Sequence, residues 1–136
     1  MTDRLNAIKF RESYRPIAPV CKASRYGRYF RGPGPENYML YFSTVKDVAR
    51  FAAVTHQDGT ARVQTIPDGD ESLLGILLDT FERHTGSGIL CNTSLNFSGC
   101  GFINKMSDLV KFVENRDLDG AVVGEVYFGR NVSIGG

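Results

Sequence analysis

The chain has 136 residues and a net charge of +1, and 42% of its residues are hydrophobic. A chain of this length buries roughly two thirds of its unfolded surface, so an apolar core can form without disulfides or a structural metal. The sequence has no apolar run near the roughly 20 residues of a membrane-spanning helix, and its first residues are too polar for a secretory signal peptide. Together with the presence of only three cysteines, these features predict one domain over 1–136 in a reduced, cytoplasmic protein with no membrane partner.

Aromatic and β-branched residues predict several strands in the first half of the chain. The elements expected there, in order, are a short helix over 23–30 and strands over 38–45, 51–55 and 61–66. A loop separates the first two of these elements, because glycine and proline alternate between Gly32 and Pro35. The dipeptide Asp58-Gly59 is a strong signal for a tight turn between the last two strands.

The second half of the chain has the periodicity of amphipathic helices. Apolar residues recur on one helical face from Leu73 to Phe81, so we expect a helix there, capped by Asp70 and ended by Gly86 or Gly88. The remaining elements expected are a strand over 89–92, a helix capped by Ser107 and a strand over 120–128. Interspersed helices and strands predict an α/β or α+β fold rather than a helix bundle or a β-sandwich.

Positive charge is concentrated near the N-terminal end. Residues 1–31 contain eight Lys and Arg residues against two acidic residues, a net charge of +6, whereas the other 105 residues carry −5. A basic segment on a nearly neutral chain is typical of proteins that bind phosphate, nucleotide or nucleic acid. A solvated basic surface has the same composition, so the charge alone does not distinguish these cases.

Lys9, Arg11 and Arg15 form the first cluster of candidate binding residues. If Lys9 and Arg11 lie on an extended segment, their side chains point to the same face, because strand side chains alternate with period two. Two cations on one face favour a phosphate ligand, although an exposed basic strand has the same pattern. Arg62 is either a further anion contact or a surface charge.

The second cluster is the polar loop Asn92-Thr93-Ser94-Leu95-Asn96, which directly follows an apolar strand. Ligands of open α/β sheets bind beyond the carboxyl ends of strands, so its hydroxyl and amide groups are well placed to hold phosphate or a small polar substrate. A turn closed by local Asn or Ser hydrogen bonds is the other interpretation.

Metal and nucleophile motifs are missing from the sequence. His56 and His84 have no His, Cys or carboxylate neighbour at the spacing of metal ligands, so we predict no protein-ligated metal. The sequence has neither a Walker phosphate loop nor a Gly-x-Ser-x-Gly elbow. The residues by themselves therefore indicate an anion-binding α/β domain and nothing more specific.

A set of short motifs nevertheless occurs in a definite order. They are Asp3-Arg4-Leu5-Asn6, Lys9-Phe10-Arg11-Glu12, Arg15-Pro16-Ile17-Ala18-Pro19, Asn37-Tyr38-Met39, the run from His56 to Thr65, and Asn92-Thr93-Ser94-Leu95-Asn96 followed by Gly99. In this order and spacing they strongly resemble the C-terminal domain of the NodU/CmcH-type O-carbamoyltransferases, from about residue 3 to residue 128. Several ordered motifs are far more specific than any single one.

This resemblance implies a YrdC-like fold, a twisted mixed β-sheet with flanking helices around a positively charged concave site. It also implies a reaction, in which the domain takes carbamoyl phosphate and ATP with Mg²⁺, releases phosphate and pyrophosphate, and forms carbamoyl adenylate. The Lys-x-Arg and Ser-x-Asn signatures with which YrdC proteins hold ATP-derived phosphates correspond to Lys9-Phe10-Arg11 and Ser94-Leu95-Asn96.

The resemblance gives the basic residues expected roles. Lys9 and Arg15 are expected to bind the phosphate of carbamoyl phosphate. Arg11 and Arg62 are expected to support the ATP triphosphate or the charge that develops as carbamate attacks the α-phosphorus. Such a step needs concentrated positive charge, because both substrates are anions.

The polar residues are expected to orient the substrates. Ser94 and Asn96 do so by hydrogen bonds, and Asn92 and Thr93 shape the pocket. His56 either contacts phosphate or holds its turn, and we favour contact.

Two features depart from the family pattern. Gly99-Cys100-Gly101 stands where the family usually has Gly-Glu-Pro, so a carboxylate and a rigid proline are missing. The family's larger N-terminal domain, of the actin-like ATPase superfold and with a bound metal, transfers the carbamoyl group to a hydroxyl acceptor and has no counterpart here. The chain is then expected to be a subunit of a split enzyme, a fragment, or a free-standing descendant.

Two other functions remain open at this point. One is a non-catalytic module that binds a nucleotide or phosphate and regulates a partner, which the Gly-Cys-Gly substitution favours. The other is an RNA-binding YrdC-like domain. The net charge of +1 disfavours a nucleic-acid partner, and the aromatic residues near the basic segment form no recognised stacking motif.

Overall fold

The computed structural model describes residues 1–12, 14–97 and 101–129. Within these ranges the helices are α1 (Thr2–Lys9), α2 (Tyr26–Tyr29), α3 (Leu73–Thr85) and α4 (Met106–Glu114). The strands are β1 (Ala18–Lys22), β2 (Phe30–Arg31), β3 (Ser43–Val45), β4 (Thr60–Ala61), β5 (Gln64–Ile66), β6 (Ile89–Asn92), β7 (Gly120–Val123) and β8 (Val126–Gly129). This mixture of helices and small sheets confirms the predicted α/β (α+β) class.

Residue contacts divide the chain into two compact units. The first unit consists of Met1–Thr2 with Tyr14–Thr93, and the second consists of Asp3–Ser13 with Ser94–Gly136. The YrdC-like topology and the single domain over 1–136 stay predictions.

The first unit contains two three-stranded sheets. In one sheet β1 lies in the centre, parallel to β5 and antiparallel to β6, so that Cys21 pairs with both Thr65 and Ile89. In the other sheet β3 lies between β2 and β4, and both pairings are antiparallel. The central strand β1 is the most buried element of the first sheet, since Val20, Cys21 and Lys22 are all buried.

Helix α3 covers the β5-β1-β6 sheet. Its Leu78 packs against Val20 and Ile66, and the partly buried Leu74 and Leu90 complete the cluster. Full burial of one such aliphatic side chain contributes roughly 1.5–3 kcal/mol. This packing fixes β6, the strand that leads into the polar loop at residue 93.

The ends of α3 are only partly as expected. Ser72 is the N-cap instead of Asp70, because its extended backbone lets its side chain accept a hydrogen bond from the Gly75 N–H at 3.3 Å. Asp70 lies two residues earlier and accepts a hydrogen bond from the Ser72 N–H at 2.7 Å. Gly86, with φ of 71°, ends the helix as predicted.

Several strand predictions are wrong in their bounds. Residues 51–55 form no strand, because local hydrogen bonds close a 3₁₀ turn over Ala52–Val54. The strand predicted over 38–45 is limited to β3, because the Glu36 carboxylate accepts hydrogen bonds from the N–H groups of Tyr38 and Leu40, both at 2.7 Å. The predicted strand over 61–66 divides into β4 and β5, which belong to different sheets.

Other predictions for the first unit are confirmed. The helix over 23–30 is present as a 3₁₀ turn, Ala23–Arg25, that continues into α2. The turn between His56 and Gly59 is closed by a hydrogen bond from the Gly59 N–H to the His56 carbonyl at 3.0 Å. Strand β6 has the predicted bounds.

In the second unit, α4 begins one residue before Ser107, and its N-cap, Lys105, makes no side-chain capping bond. The strand predicted over 120–128 is a hairpin of β7 and β8 with Gly124 at φ of 59° in the turn. Among the residues that the structure describes, no helix has the length and apolar character to cross a bilayer.

Candidate functional site

Lys9 is the last residue of α1, and the chain turns sharply directly after it. The Phe10 N–H donates to the Ala7 carbonyl at 3.1 Å, and the Arg11 N–H donates to the Asn6 carbonyl at 3.0 Å. These two bonds and the left-handed backbone of Phe10, with φ of 50°, form a Schellman helix end. The condition for placing Lys9 and Arg11 on one strand face, an extended segment, is therefore not met.

The Lys9 ammonium joins the two sequence motifs. It donates hydrogen bonds to the Ser94 carbonyl at 2.5 Å, the Asn96 carbonyl at 3.1 Å and Asn96 Oδ1 at 2.6 Å. A lysine ammonium has three donors, so each of them has an acceptor. Lys9 is 8% exposed, and its Nζ lies 5.8 Å from the centre of the Phe112 ring. The structure thus brings Lys9, Ser94 and Asn96 together.

Local hydrogen bonds also hold the Ser94–Asn96 loop. The exposed Ser94 hydroxyl donates to Asn96 Oδ1 at 2.8 Å, and Asn96 Nδ2 donates to the Phe97 carbonyl at 3.1 Å. Across the loop, the Ile103 N–H donates to the Leu95 carbonyl at 3.2 Å. The loop has the local bonds of a polar turn in addition to its contact with Lys9.

Positive charge accumulates around this loop. Burial is the main cause that lowers the pKa of Lys9, and the charges of Arg11 and Arg116 lower that pKa further. Arg11 is half-buried, and its Nε donates to Asn6 Oδ1 at 2.6 Å. Cations that repel one another in a partly buried site favour the binding of an anion.

Arg116 belongs to none of the sequence motifs. Its Cζ lies 3.6 Å from the centre of the Phe10 ring and 5.5 Å from that of Phe112. Its Nη1 is buried and has no hydrogen-bond partner among the described residues. No spacing rule points to this arginine, because its position depends on the left-handed turn at Phe10.

Two further candidates interact in the first unit. Burial lowers the pKa of His56; Asp58 raises it, and Arg62 lowers it. The His56 Nδ1 lies 3.2 Å from the Thr60 hydroxyl, and its ring makes an edge contact with Phe42. Arg62 is exposed in the short segment between β4 and β5.

Asn92, Thr93 and Arg15 complete the candidates of the first unit. Asn92 Nδ2 donates to Gln64 Oε1 at 2.5 Å, which connects the end of β6 to β5. Thr93 is half-buried and Arg15 is exposed. Gly99 and Cys100 of the Gly-Cys-Gly departure lie outside the described residues.

The nine predicted site residues are thus divided between the units. Lys9, Arg11, Ser94 and Asn96 belong to the second unit, and Arg15, His56, Arg62, Asn92 and Thr93 belong to the first. Within the described part of the chain, no group of three or more His, Cys, Asp or Glu residues is arranged to hold a metal ion.

Comparison with known proteins identifies the family. The sequence model for the carbamoyltransferase C-terminus matches residues 1–130. The chain is 51% identical over 128 residues to a 3'-hydroxymethylcephem-O-carbamoyltransferase of Amycolatopsis lactamdurans, a match that covers 94% of this chain and 25% of that protein. Its identity to the protein of the same name from Streptomyces clavuligerus is 48%, with the same coverage.

A third relative is nodulation protein U of Sinorhizobium fredii, which is 42% identical over 104 residues, covering 75% of this chain and 19% of that protein. The chain spans about a quarter of the length of the cephem carbamoyltransferases that it matches. Because the family match extends over nearly all of the sequence, the chain belongs to the carbamoyltransferase C-terminus family.

Proposed function

We propose that this chain binds carbamoyl phosphate and ATP and forms carbamoyl adenylate, as the activating part of an O-carbamoyltransferase. The observation that carries the proposal is the Lys9 ammonium, whose hydrogen bonds connect the Lys-x-Arg motif to the Ser-x-Asn motif. The relatives named as O-carbamoyltransferases support the overall reaction class.

The proposed reaction has two steps. Water first cleaves carbamoyl phosphate to carbamate and phosphate. A carbamate oxygen then attacks the α-phosphorus of ATP, and the bond from that phosphorus to the β-bridging oxygen breaks, which releases pyrophosphate. Both substrates are anions and negative charge builds on the phosphoryl oxygens, so fixed cations lower the barrier.

Lys9 and Arg15 bind the phosphate of carbamoyl phosphate in this proposal. Because all three Lys9 donors have protein acceptors, a phosphate oxygen must replace one of them when the substrate binds. The lowered pKa of Lys9 supports this exchange, since an anion relieves the repulsion from Arg11 and Arg116. The exposed guanidinium of Arg15 supplies a planar fork that suits two phosphate oxygens.

Arg11 and Arg62 support the triphosphate and the developing charge. Burial lowers the pKa of His56, which favours the neutral imidazole, so in this proposal His56 contacts phosphate as a hydrogen-bond donor. Its function in this proposal is orientation.

The polar loop orients the substrates. The exposed Ser94 hydroxyl and the Asn96 amide offer hydrogen bonds beside the Lys9 ammonium. In this proposal Asn92, which is bonded to Gln64, and Thr93 help to position substrate at the end of β6. Groups held in this way reduce the entropy cost of bringing two substrates together.

One Mg²⁺ ion accompanies ATP in this proposal. Mg²⁺ in such sites is bound mainly by phosphate oxygens and water, with one or two protein oxygens. The Ser94 hydroxyl oxygen fits this chemistry, whereas Asn96 Oδ1 already accepts hydrogen bonds from Lys9 and Ser94. The described residues contain no carboxylate cluster that would hold the ion without ATP. The bound ion neutralises phosphate charge.

Transfer to the final hydroxyl acceptor is assigned to a separate part of the enzyme. The chain corresponds to about a quarter of its longer relatives, which leaves room for a transferase domain of the actin-like ATPase superfold, with its own metal, on the same or another chain. The acceptor is recognised there.

Calorimetric titration with carbamoyl phosphate, with and without a non-hydrolysable ATP analogue and Mg²⁺, tests the binding part of the proposal. We expect saturable binding that is lost in Lys9→Ala and in Arg15→Ala. Lys111→Ala, which removes an exposed lysine from α4, is the matched control and retains binding. Equal affinity in Lys9→Ala and Lys111→Ala removes Lys9 from the site.

A non-catalytic phosphate-binding module is the second candidate function. The observation in its favour is the complete engagement of Lys9 by protein acceptors, as in a structural lysine. Binding of both substrates without formation of pyrophosphate supports this alternative over catalysis.

A further inference from the structure

We propose that Arg116 forms a second oxyanion site, which binds a phosphate group in the cleft beside Phe10. The proposal adds a residue that the proposed reaction does not use, and it does not depend on formation of carbamoyl adenylate. Its basis is an arginine whose buried Nη1 has no hydrogen-bond partner among the described residues, an unusual backbone turn and an adjacent cleft.

The Nη1 of Arg116 is buried and has no hydrogen-bond partner in the described part of the chain. A buried N–H group without an acceptor costs free energy, and most such groups in folded proteins are satisfied by protein, water or ligand. An oxyanion would supply both the acceptor and the opposite charge.

Stacking against Phe10 determines how Arg116 can bind. The Cζ of Arg116 lies over the Phe10 ring, 3.6 Å from its centre, which is a close cation–π contact. Hydrogen bonds must then form at the edge of the guanidinium, in its plane. That edge is the part of arginine that binds two oxygens of a phosphate at once.

The backbone of Phe10 supports a functional explanation of this stack. Its φ of 50° is in the left-handed region, where helix ends usually have glycine. A strained non-glycine residue persists only where surrounding structure holds it, and such residues cluster at functional sites. A glycine at position 10 would relieve the strain but would remove the phenyl ring that contacts Arg116.

The cleft next to this stack has room for a phosphate group. It has a volume of about 230 Å³ and is lined by Arg4, Phe10, Asn115, Arg116 and Asp117, among others. One water occupies roughly 30 Å³ in the liquid, so several waters or one phosphate group fit.

Arg4 and Arg116 are the basic residues that line the cleft. Arg4 faces two carboxylates, because its Nε lies 3.6 Å from Asp117 Oδ2 and its Nη2 lies 3.7 Å from Asp119 Oδ2. Arg116 makes no such ion pair among the described residues, and its guanidinium is near enough to Lys9 to lower the pKa of that residue.

Titration of the full chain with inorganic phosphate, followed by the ¹⁵N-labelled arginine Nε–H resonances, tests the site. We expect a saturable shift of the Arg116 resonance. We also expect the dissociation constant to rise at least about tenfold in Arg116→Gln, since a charge-assisted pair is lost. Arg83→Gln, which removes an exposed arginine of α3, leaves the dissociation constant within about twofold.

A second variant covers the case in which Arg116→Gln does not fold. Arg116→Lys keeps the charge but not the planar fork, and we expect phosphate affinity between those of the wild type and Arg116→Gln. Phosphate that leaves the Arg116 resonance unchanged in the wild type overturns the proposal. Equal weakening by Arg83→Gln does so as well.

ATP identifies the source of the phosphate group. If ATP displaces inorganic phosphate from Arg116, the ligand is the phosphoryl group of a nucleotide; if it does not, the ligand is free phosphate. Phosphate binding at Arg116 in a chain that makes no carbamoyl adenylate supports this site and contradicts the proposed reaction.

Discussion

The side-chain oxygen of Asn6 accepts a hydrogen bond from Arg11 Nε at 2.6 Å, and the backbone oxygen of the same residue accepts one from the Arg11 N–H at 3.0 Å. Asn6 is 1% exposed. One buried residue of α1 therefore fixes both the chain direction and the guanidinium of Arg11, on the far side of the turn at Phe10. The orientation of a candidate phosphate ligand depends on an amide five positions earlier.

Asn6→Ala should lower the free energy of unfolding by about 1–3 kcal/mol, because it leaves the Arg11 Nε–H without its buried acceptor. Asn6→Asp keeps an acceptor oxygen and should retain more of the stability. Asn104→Ala removes an exposed asparagine and is the control, with a change within about 0.5 kcal/mol. Urea denaturation measures all three. Similar values for Asn6→Ala and Asn104→Ala would show that the bond does not stabilise the fold.

Gly75→Ala should destabilise the protein, although alanine is the better helix former by about 1 kcal/mol. A Cβ at Gly75 would lie 2.1 Å from the Asp70 carbonyl oxygen, and backbone cannot move away as a flexible side chain does. Gly27, in α2, has no atom within 4 Å of the corresponding Cβ position, so Gly27→Ala should be neutral or stabilising. The melting temperatures of the two variants test this prediction. A higher melting temperature in both Gly75→Ala and Gly27→Ala contradicts the predicted clash.

Asp79→Asn should lower the free energy of unfolding by about 1–2 kcal/mol. The value lies between those of a surface and a buried ion pair, because the Lys22 side chain is 10% exposed whereas the Asp79 side chain is 53% exposed. Lys22 Nζ donates to Asp79 Oδ2 at 2.5 Å and to the Asp68 carbonyl at 3.1 Å, and the variant leaves a largely buried ammonium without its anion. Glu114→Gln, at an exposed position of α4, should change little. If 1 M salt abolishes the difference between the wild type and Asp79→Asn, the pair behaves as a screened surface interaction instead.

The buried thiol of Cys21 should make stability fall at high pH. Burial, followed by the charges of Asp68 and Glu82, raises the pKa of Cys21 from 9.0 to about 12. The unfolded chain therefore loses this proton from pH 9 upward while the folded chain keeps it. The stability is complete below pH 9 and falls between pH 9 and 12, by up to about 1.4 kcal/mol per pH unit.

Denaturation of the wild type and Cys21→Ala at pH 8 and pH 10 measures this contribution. The wild type should lose more stability over that interval than the variant, because other groups that titrate there contribute equally to both proteins. Parallel losses contradict a raised pKa at Cys21.

The sequence predicted those elements that local pattern determines. The leucine periodicity of α3 predicts a helix, and the short apolar run of β6 predicts a strand. Both elements are present. Residues 51–55 have the composition of a strand, but hydrogen bonds from the Phe51 N–H to the Asp47 carbonyl, at 3.1 Å, and from the Val54 N–H to the Phe51 carbonyl, at 3.0 Å, keep the chain in a tight turn. Amino-acid composition does not reveal that these local backbone hydrogen bonds form in place of the hydrogen bonds between strands.

The candidate site was predictable only in part for a similar reason. Lys9, Ser94 and Asn96 were identified by motifs, and the structure brings them together. Arg116 belongs to no motif, and its contact depends on the left-handed turn of Phe10, a backbone state that sequence pattern does not favour for phenylalanine.

Formation of carbamoyl adenylate tests the account most directly. The folded chain is mixed with ATP, Mg²⁺ and carbamoyl phosphate, and pyrophosphate and the adenylate are measured by enzymatic assay and mass spectrometry. We expect both products, dependent on carbamoyl phosphate and reduced about 10²- to 10³-fold in Lys9→Ala, as when one charge-stabilising donor is removed. Pyrophosphate that forms equally without carbamoyl phosphate, or no product from a chain that binds both substrates, contradicts the proposed reaction.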